Sequence, residues 1–294
     1  MNDSSKFIPN VNIYVDQPGK KQKNSSYEKL STKLYEKNHE FTDKSFQKTR
    51  QVSTKENILD SFSRIGRNLK HVSRSKIPEK GLDKVCLILM NNFRKEEFNK
   101  YDPPIGQLND GYLVALIHHR LGFKVFYLYN CTQGNYPKWL QFFMNNTTNT
   151  LTVFYSGHNT NGIEFKDKYV TIEQLSHLIN ENNNCKCKTI FISECLEGGS
   201  VFNINRNSRN NNTNEDNKKK MISLSIEKET KPNSRESKLS HGIFTYYLCK
   251  YIYGQPNITL KNLSEQMDPS VQRFKARFIC ETNNDELSNQ PIFE

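Results

Sequence analysis

The chain has 294 residues, a formal net charge of +11 and an apolar content of 35%. That length suits one sizeable domain with an appendage, and the low apolar fraction means that part of the chain buries nothing. No stretch reaches the ~18 consecutive apolar residues that span a bilayer, and MNDSSKFIPNVNIYV at the start lacks the apolar centre of a secretory signal, so neither a membrane protein nor an exported one is expected.

Residues 1–80 hold 17 Lys+Arg against 9 Asp+Glu, so +8 of the +11 sits there. Lys, Ser, Asn, Gln and Thr dominate this stretch, and residues 1–81 are expected to form a disordered basic leader. Weak helical spacing runs through Glu56–Lys70, at Ile58, Leu59, Phe62, Ile65 and Leu69. A basic tail can bind nucleic acid or an anionic membrane. This one lacks regular aromatic or Arg interleaving, so neither is expected as a partner.

From Leu82 the pattern changes, and residues 82–294 read as the folded domain. Lys84–Met90 is a short apolar run of the kind buried on both faces of a parallel sheet. Gln107–Leu121 has helical spacing, with Leu108, Tyr112, Ala115, Leu116 and His119 on one side and Gly122 as a stop. Phe123–Tyr129 is a second strand, Pro137–Met144 a short helix, and Thr150–Ser156 a third strand. Gly162–Val170 reads as a small hairpin, Ile172–Asn182 as a helix, and Thr189–Ser193 as a fourth strand. Strand and helix thus alternate, which implies a parallel sheet with right-handed crossovers.

Asn203–Lys220 contains almost no apolar residue and is expected to lie outside the core as a polar linker. The pattern then resumes with a strand at Met221–Ile226 and a helix at His241–Tyr253. Leu260–Phe278 reads as a further helix, broken near Pro269. Seven cysteines, an odd number, fit a reducing, cytoplasmic setting. Cys185-Lys-Cys187 lacks a second ligand pair, so no metal site is expected. Of the tandem His118-His119, one faces the core and neither has an evident ligand partner.

Ligands of open α/β sheets bind at the carboxyl ends of the strands, near the switch in strand order. The third strand ends Tyr155-Ser-Gly-His158, and the fourth ends Ser193-Glu-Cys195-Leu-Glu-Gly-Gly199. If the two strands are neighbours, His158 and Cys195 face one crevice. A thiolate is a strong nucleophile, and an imidazole can take the thiol proton and return it to a leaving amine. Gly198 and Gly199 let the chain turn after Cys195, so that backbone N–H groups can face a developing oxyanion.

These residues resemble a known family. Tyr155-Ser-Gly-His158 is similar to the histidine motif Y-S-G-H-G of caspases and metacaspases. Ser193-Glu-Cys195-Leu-Glu-Gly198 resembles the metacaspase D-S-C-H-S-G and the caspase Q-A-C-R-G. Ile105–Asp110 with Leu121–Val125, His241–Tyr247 and Asn289–Phe293 resemble further family segments in the right order. The resemblance implies an α/β, caspase-like, open and mostly parallel sheet with helices on both faces. It implies a cysteine endopeptidase acting on polypeptides without a cofactor, with Cys195 as nucleophile and His158 as general acid/base. Gly157 and Asn159 are assigned to the oxyanion backbone, and Ser193, Glu194 and Ser225 to substrate binding. A linker is cut after the Cys in caspases, so self-cleavage within 203–220 is an expectation.

Two residues depart from the family pattern. Asn159 stands where a Gly normally follows the histidine; it keeps an N–H and tolerates positive φ. Ser193 stands where metacaspases carry a substrate-binding Asp and caspases a Gln. The preference for a basic residue or for Asp before the cut is therefore open, with Glu194, Glu197, Glu227 and Glu229 as candidate acids. The acidic calcium cluster of many metacaspases has no clear counterpart. An alternative reading is a catalytically impaired module that keeps the fold for binding or regulation.

Overall fold

The computed structural model describes residues 55–77, 80–91, 106–157, 161–165, 167–181, 187–195, 199–204, 220–228 and 242–294. Helix α1 (Lys55–Ile65) leads into the short strand β1 (Gly66–Asn68). Then come β2 (Lys84–Met90), α2 (Gly106–Arg120), β3 (Lys124–Tyr129), α3 (Tyr136–Asn146) and β4 (Thr150–Gly157). A hairpin of β5 (Gly162–Glu164) and β6 (Tyr169–Thr171) precedes α4 (Ile172–Glu181) and β7 (Lys188–Cys195). The chain closes with β8 (Met221–Lys228), α5 (Ile243–Gly254), α6 (Leu260–Gln272) and β9 (Ala276–Thr282).

Seven strands form one sheet in the order β1-β3-β2-β4-β7-β8-β9. All neighbours are parallel except β8 and β9. β3 and β4 flank β2, so the strand order reverses there and opens a crevice at the carboxyl ends. The apolar run of β2 has no wet face. Cys86, Ile88 and Met90 join the core under α1, α2, α5 and α6, whereas Val85, Leu87 and Leu89 join the core under α3 and α4. β4 and β7 divide their side chains in the same way, with Phe154 and Ile192 on the first face and Tyr155 and Phe191 on the second. Among the described residues no helix is long and apolar enough to cross a membrane.

The structure corrects four expectations. The leader is shorter than 1–81, because α1 buries Ile58 and Phe62 and β1 pairs with β3 at the sheet edge. Residues 1–54 lie outside the described residues. The helix expected over 260–278 ends at Gln272, with Pro269 inside it rather than breaking it. Lys275 then takes a φ of 54°, and the chain reverses into β9, antiparallel to β8. Ile204, expected in the polar linker, is buried beside Val201 and Phe202; residues 205–219 lie outside the described residues. Finally, the buried histidine of α2 is His118, and His119 is exposed.

His118 carries a testable pH effect. Its Nδ1 donates to the Val114 carbonyl at 2.9 Å, and its ring meets the edges of Phe123 and Phe293. Burial, outweighing that hydrogen bond, lowers its pKa from 6.5 to about 4. The unfolded chain therefore binds this proton more readily than the folded one. Stability is complete above about pH 6.5 and falls as the pH drops towards 4, by about 3 kcal/mol at most from this group. Urea unfolding at pH 7 and pH 4.5 is expected to show a smaller acid loss in His118→Gln than in the native chain. An equal loss in both would assign the acid sensitivity elsewhere.

Candidate active site

The ends of β4 and β7 define the site. Their parallel register pairs Tyr155 with Ser193, Ser156 with Glu194 and Gly157 with Cys195. His158 and Asn159 follow Gly157 in sequence, and both lie outside the described residues, as do Leu196, Glu197 and Gly198. Cys195 is 4% exposed and sits on the α3/α4 face with Tyr155. Strand alternation puts Ser193 on that same face, two positions before the thiol. Burial pushes the Tyr155 hydroxyl pKa up, and the neighbouring Cys195 adds to the shift.

Gly157 is required by a close approach. The buried Tyr155 ring leans along β4 over it, so a Cβ at 157 would stand 2.5 Å from the Tyr155 Oη and 2.9 Å from the Asn91 carbonyl oxygen. Asn91 braces this corner. Its backbone N–H donates to the Ser156 carbonyl at 3.1 Å, and its Nδ2 donates to the Glu164 carbonyl in the hairpin at 2.8 Å. Where the described chain resumes, Gly199 has a φ of 81°, and its N–H donates to the Ile226 carbonyl at 2.7 Å. Val201, Phe202 and Ile204 then anchor it in the α3/α4 core.

Ser193 and Ser225 are registered neighbours on β7 and β8. Both are fully buried, and among the described residues neither hydroxyl has a hydrogen-bond partner. An orphaned buried hydroxyl costs free energy, which makes each a group seeking a partner. Glu194 requires a correction. Alternation turns it to the opposite face of the sheet from Cys195 and Ser193, where its Oε2 accepts from the Thr245 N–H at 2.7 Å and the Thr245 Oγ1 at 2.9 Å. It is therefore not an acid on the face of Cys195. Glu227 is exposed and paired with Arg277 at 2.7 Å, while Glu229 lies outside the described residues. Among the described residues no group of three or more His, Cys, Asp or Glu is placed to hold a metal ion.

Sequence reasoning missed Asp110 and Thr245. Asp110 is buried in α2 and accepts from the Ser156 hydroxyl at 3.3 Å. The available signal was a polar run, Gln107-x-Asn-Asp110, opening a helix that is then apolar from Tyr112 to Ile117.

This sheet and its crossovers are those of the caspase fold. The crystal structure of the Drosophila initiator caspase Dronc superposes with a TM-score of 0.50 and 14% identity, over 79% of this chain and 88% of that one. Caspase-1 from Spodoptera frugiperda gives a TM-score of 0.47 and 12% identity, over 72% of this chain and 94% of that one. No protein-family model and no curated protein sequence matches the chain. The likeness to Dronc shows the fold, and the chain has a caspase-like α/β architecture.

Proposed function

We propose that this protein is a cysteine endopeptidase of caspase or metacaspase type, with Cys195 as nucleophile and His158 as general acid/base. The observation that carries the reading is the register pairing of Gly157 with Cys195 at the carboxyl ends of adjacent strands in a caspase-fold sheet. His158 takes the thiol proton, and the sulfur attacks the scissile carbonyl carbon. The backbone N–H of Asn159 stabilises the oxyanion. The C–N bond breaks, the amine leaves with the proton from the imidazolium, and water hydrolyses the thioester to restore the thiol. No cofactor enters this cycle.

Ser193 and Ser225 line the subsite for the residue before the cut. Two neutral hydroxyls, with Glu194 turned away behind the sheet, suit a small or neutral polar side chain better than a charged one. The polar stretch 205–219 contains Asn205, Asn207, Ser208 and Asn210 beside its charged residues and is a candidate for self-cleavage. A fluorogenic panel with Asn, Ser, Arg, Lys and Asp before the cut tests the reading. The neutral polar substrates should be cleaved fastest, and purified chain should convert to two fragments. A preference for Arg or Asp of tenfold or more would refute the hydroxyl subsite. No cleavage of any member, with Cys195 alkylating no faster than buried Cys249, would refute the peptidase.

A further inference from the structure

Behind the proposed dyad, on the face away from the nucleophile, two carboxyl groups flank the first turn of α5. Glu194 comes from β7 and accepts from the Thr245 N–H and Oγ1. Asp110 comes from α2; its Oδ2 accepts from Ser156 Oγ on β4, and its Oδ1 lies 3.0 Å from where a Cβ on Gly242 would stand. Both are almost wholly buried, Asp110 at 5% and Glu194 at 1% exposure. Ser156 and Glu194 are themselves a registered pair, one step before Gly157 and Cys195. Each strand end that leads into the dyad is therefore tied to a helix by a carboxyl group.

We propose that Asp110 and Glu194 carry a single negative charge between them and act as positioning residues for the strand ends that bear His158 and Cys195. The inference rests on the peptidase reading for the roles of those two residues.

Two like charges buried against the first turn of one helix cannot both form cheaply, so one carboxyl keeps its proton. Glu194 is the ionised member, since a backbone N–H at the N-terminus of a twelve-residue helix and a hydroxyl both point at it. Asp110 is the protonated one. Burial pushes its carboxyl well above the usual range, the Glu194 charge adds to this, and the Ser156 hydroxyl opposes it. Among the described residues, the other titratable groups acting here are Cys249 on α5, close to both carboxyls, and Cys86 on β2 behind it. Burial keeps both thiols neutral, and no cation acts on Asp110 among the described groups. Removing the shared proton would set two charges against each other inside the wall that holds β4 and β7 in register.

The test uses the full chain and two readouts. The first is the infrared C=O band of a protonated carboxylic acid at neutral pH, expected in the native chain and absent in Asp110→Asn. The second is the absolute alkylation rate of Cys195 by iodoacetamide, followed by mass spectrometry as the pH rises. A lone thiol only gains reactivity with pH. Here the rate should fall about tenfold as the infrared band disappears, because the dyad loses its alignment, and Asp110→Asn should show no such fall. Two further variants separate the charge from its donors. Glu194→Gln removes the opposing charge, so the band should vanish at lower pH. Thr245→Val removes a donor to an anion that is present both before and after Asp110 loses its proton, so the transition should stay near its native pH. The same band in native chain and Asp110→Asn, or equal transitions in the last two variants, overturns the pair. A native Cys195 no more reactive than Cys249 overturns the peptidase reading and the positioning role, while the band still reports on the proton.

Discussion

Cys195→Ala is expected to lower peptide cleavage by ~10^4-fold or more and to leave the fold standing. Removing the nucleophile of a covalent mechanism removes nearly all of the catalysis that acts through it. What remains comes from substrate binding and oxyanion stabilisation. His158→Ala should cost a similar factor, and the double variant little more than either, because the two groups act as one unit. The structural cost is small. Cys195 ends β7 and is buried, but the change deletes a single sulfur atom, worth about 1 kcal/mol. Initial rates on the best panel peptide, with thermal melts of each variant, decide the matter. A Cys195→Ala chain that melts normally and still cleaves would eliminate the proposed mechanism. The same variant also tests self-cleavage, since it should remain one band where the native chain becomes two.

The parts of this fold that could be read from sequence are those whose side chains obey one rule along their length. β2, β3, β4 and β7 are apolar on both faces because helices cover both, and such runs stand out from their polar flanks. The ends of β4 and β7 were legible for a related reason, since Tyr155-Ser-Gly157 and Ser193-Glu-Cys195 each close an apolar run, and the register pairs Gly157 with Cys195.

The elements that were misread obey two rules at once. Phe274 and Phe278 are four apart and suit a helix, yet Ala276 and Phe278, two apart, are the buried positions of β9. Only the left-handed turn at Lys275, fixed by tertiary structure, separates the two readings. In the leader α1 was legible only as weak helical spacing, because an eleven-residue amphipathic helix in a polar stretch buries little until β1 docks on β3. Glu194 was misassigned for a sharper reason. In Ser-Glu-Cys the acid adjoins Cys195 in sequence, but adjacent strand residues face opposite ways, so adjacency places it behind the sheet. Its partners Asp110 and Thr245 come from two other helices, and no local pattern links them to it.

Replacing Gly157 with Ala should cost about 10^2-fold in kcat while leaving most of the stability. A Cβ there would meet the Tyr155 Oη at 2.5 Å, the Tyr155 Cζ at 2.8 Å and the Asn91 carbonyl oxygen at 2.9 Å. The last of these is backbone held by the Asn91–Ser156 hydrogen bond, and the ring is fully buried, so neither neighbour yields freely. Relief must come from β4 itself, at the residue before His158. Overpacking of this kind costs about 1–3 kcal/mol of stability. A shift near 1 Å in a catalytic group costs far more in rate, about 10^2-fold. Tyr155→Phe deletes the nearest of the three clashing atoms. In that background Gly157→Ala should therefore lose less activity than it does in the native chain, a coupling that a double-mutant cycle measures. Recovery should be partial, since the ring carbon and the Asn91 oxygen remain. Additive losses would mean that the Tyr155 ring does not set the position of the strand end, and the placement of His158 would have to be explained by something other than the packing of β4.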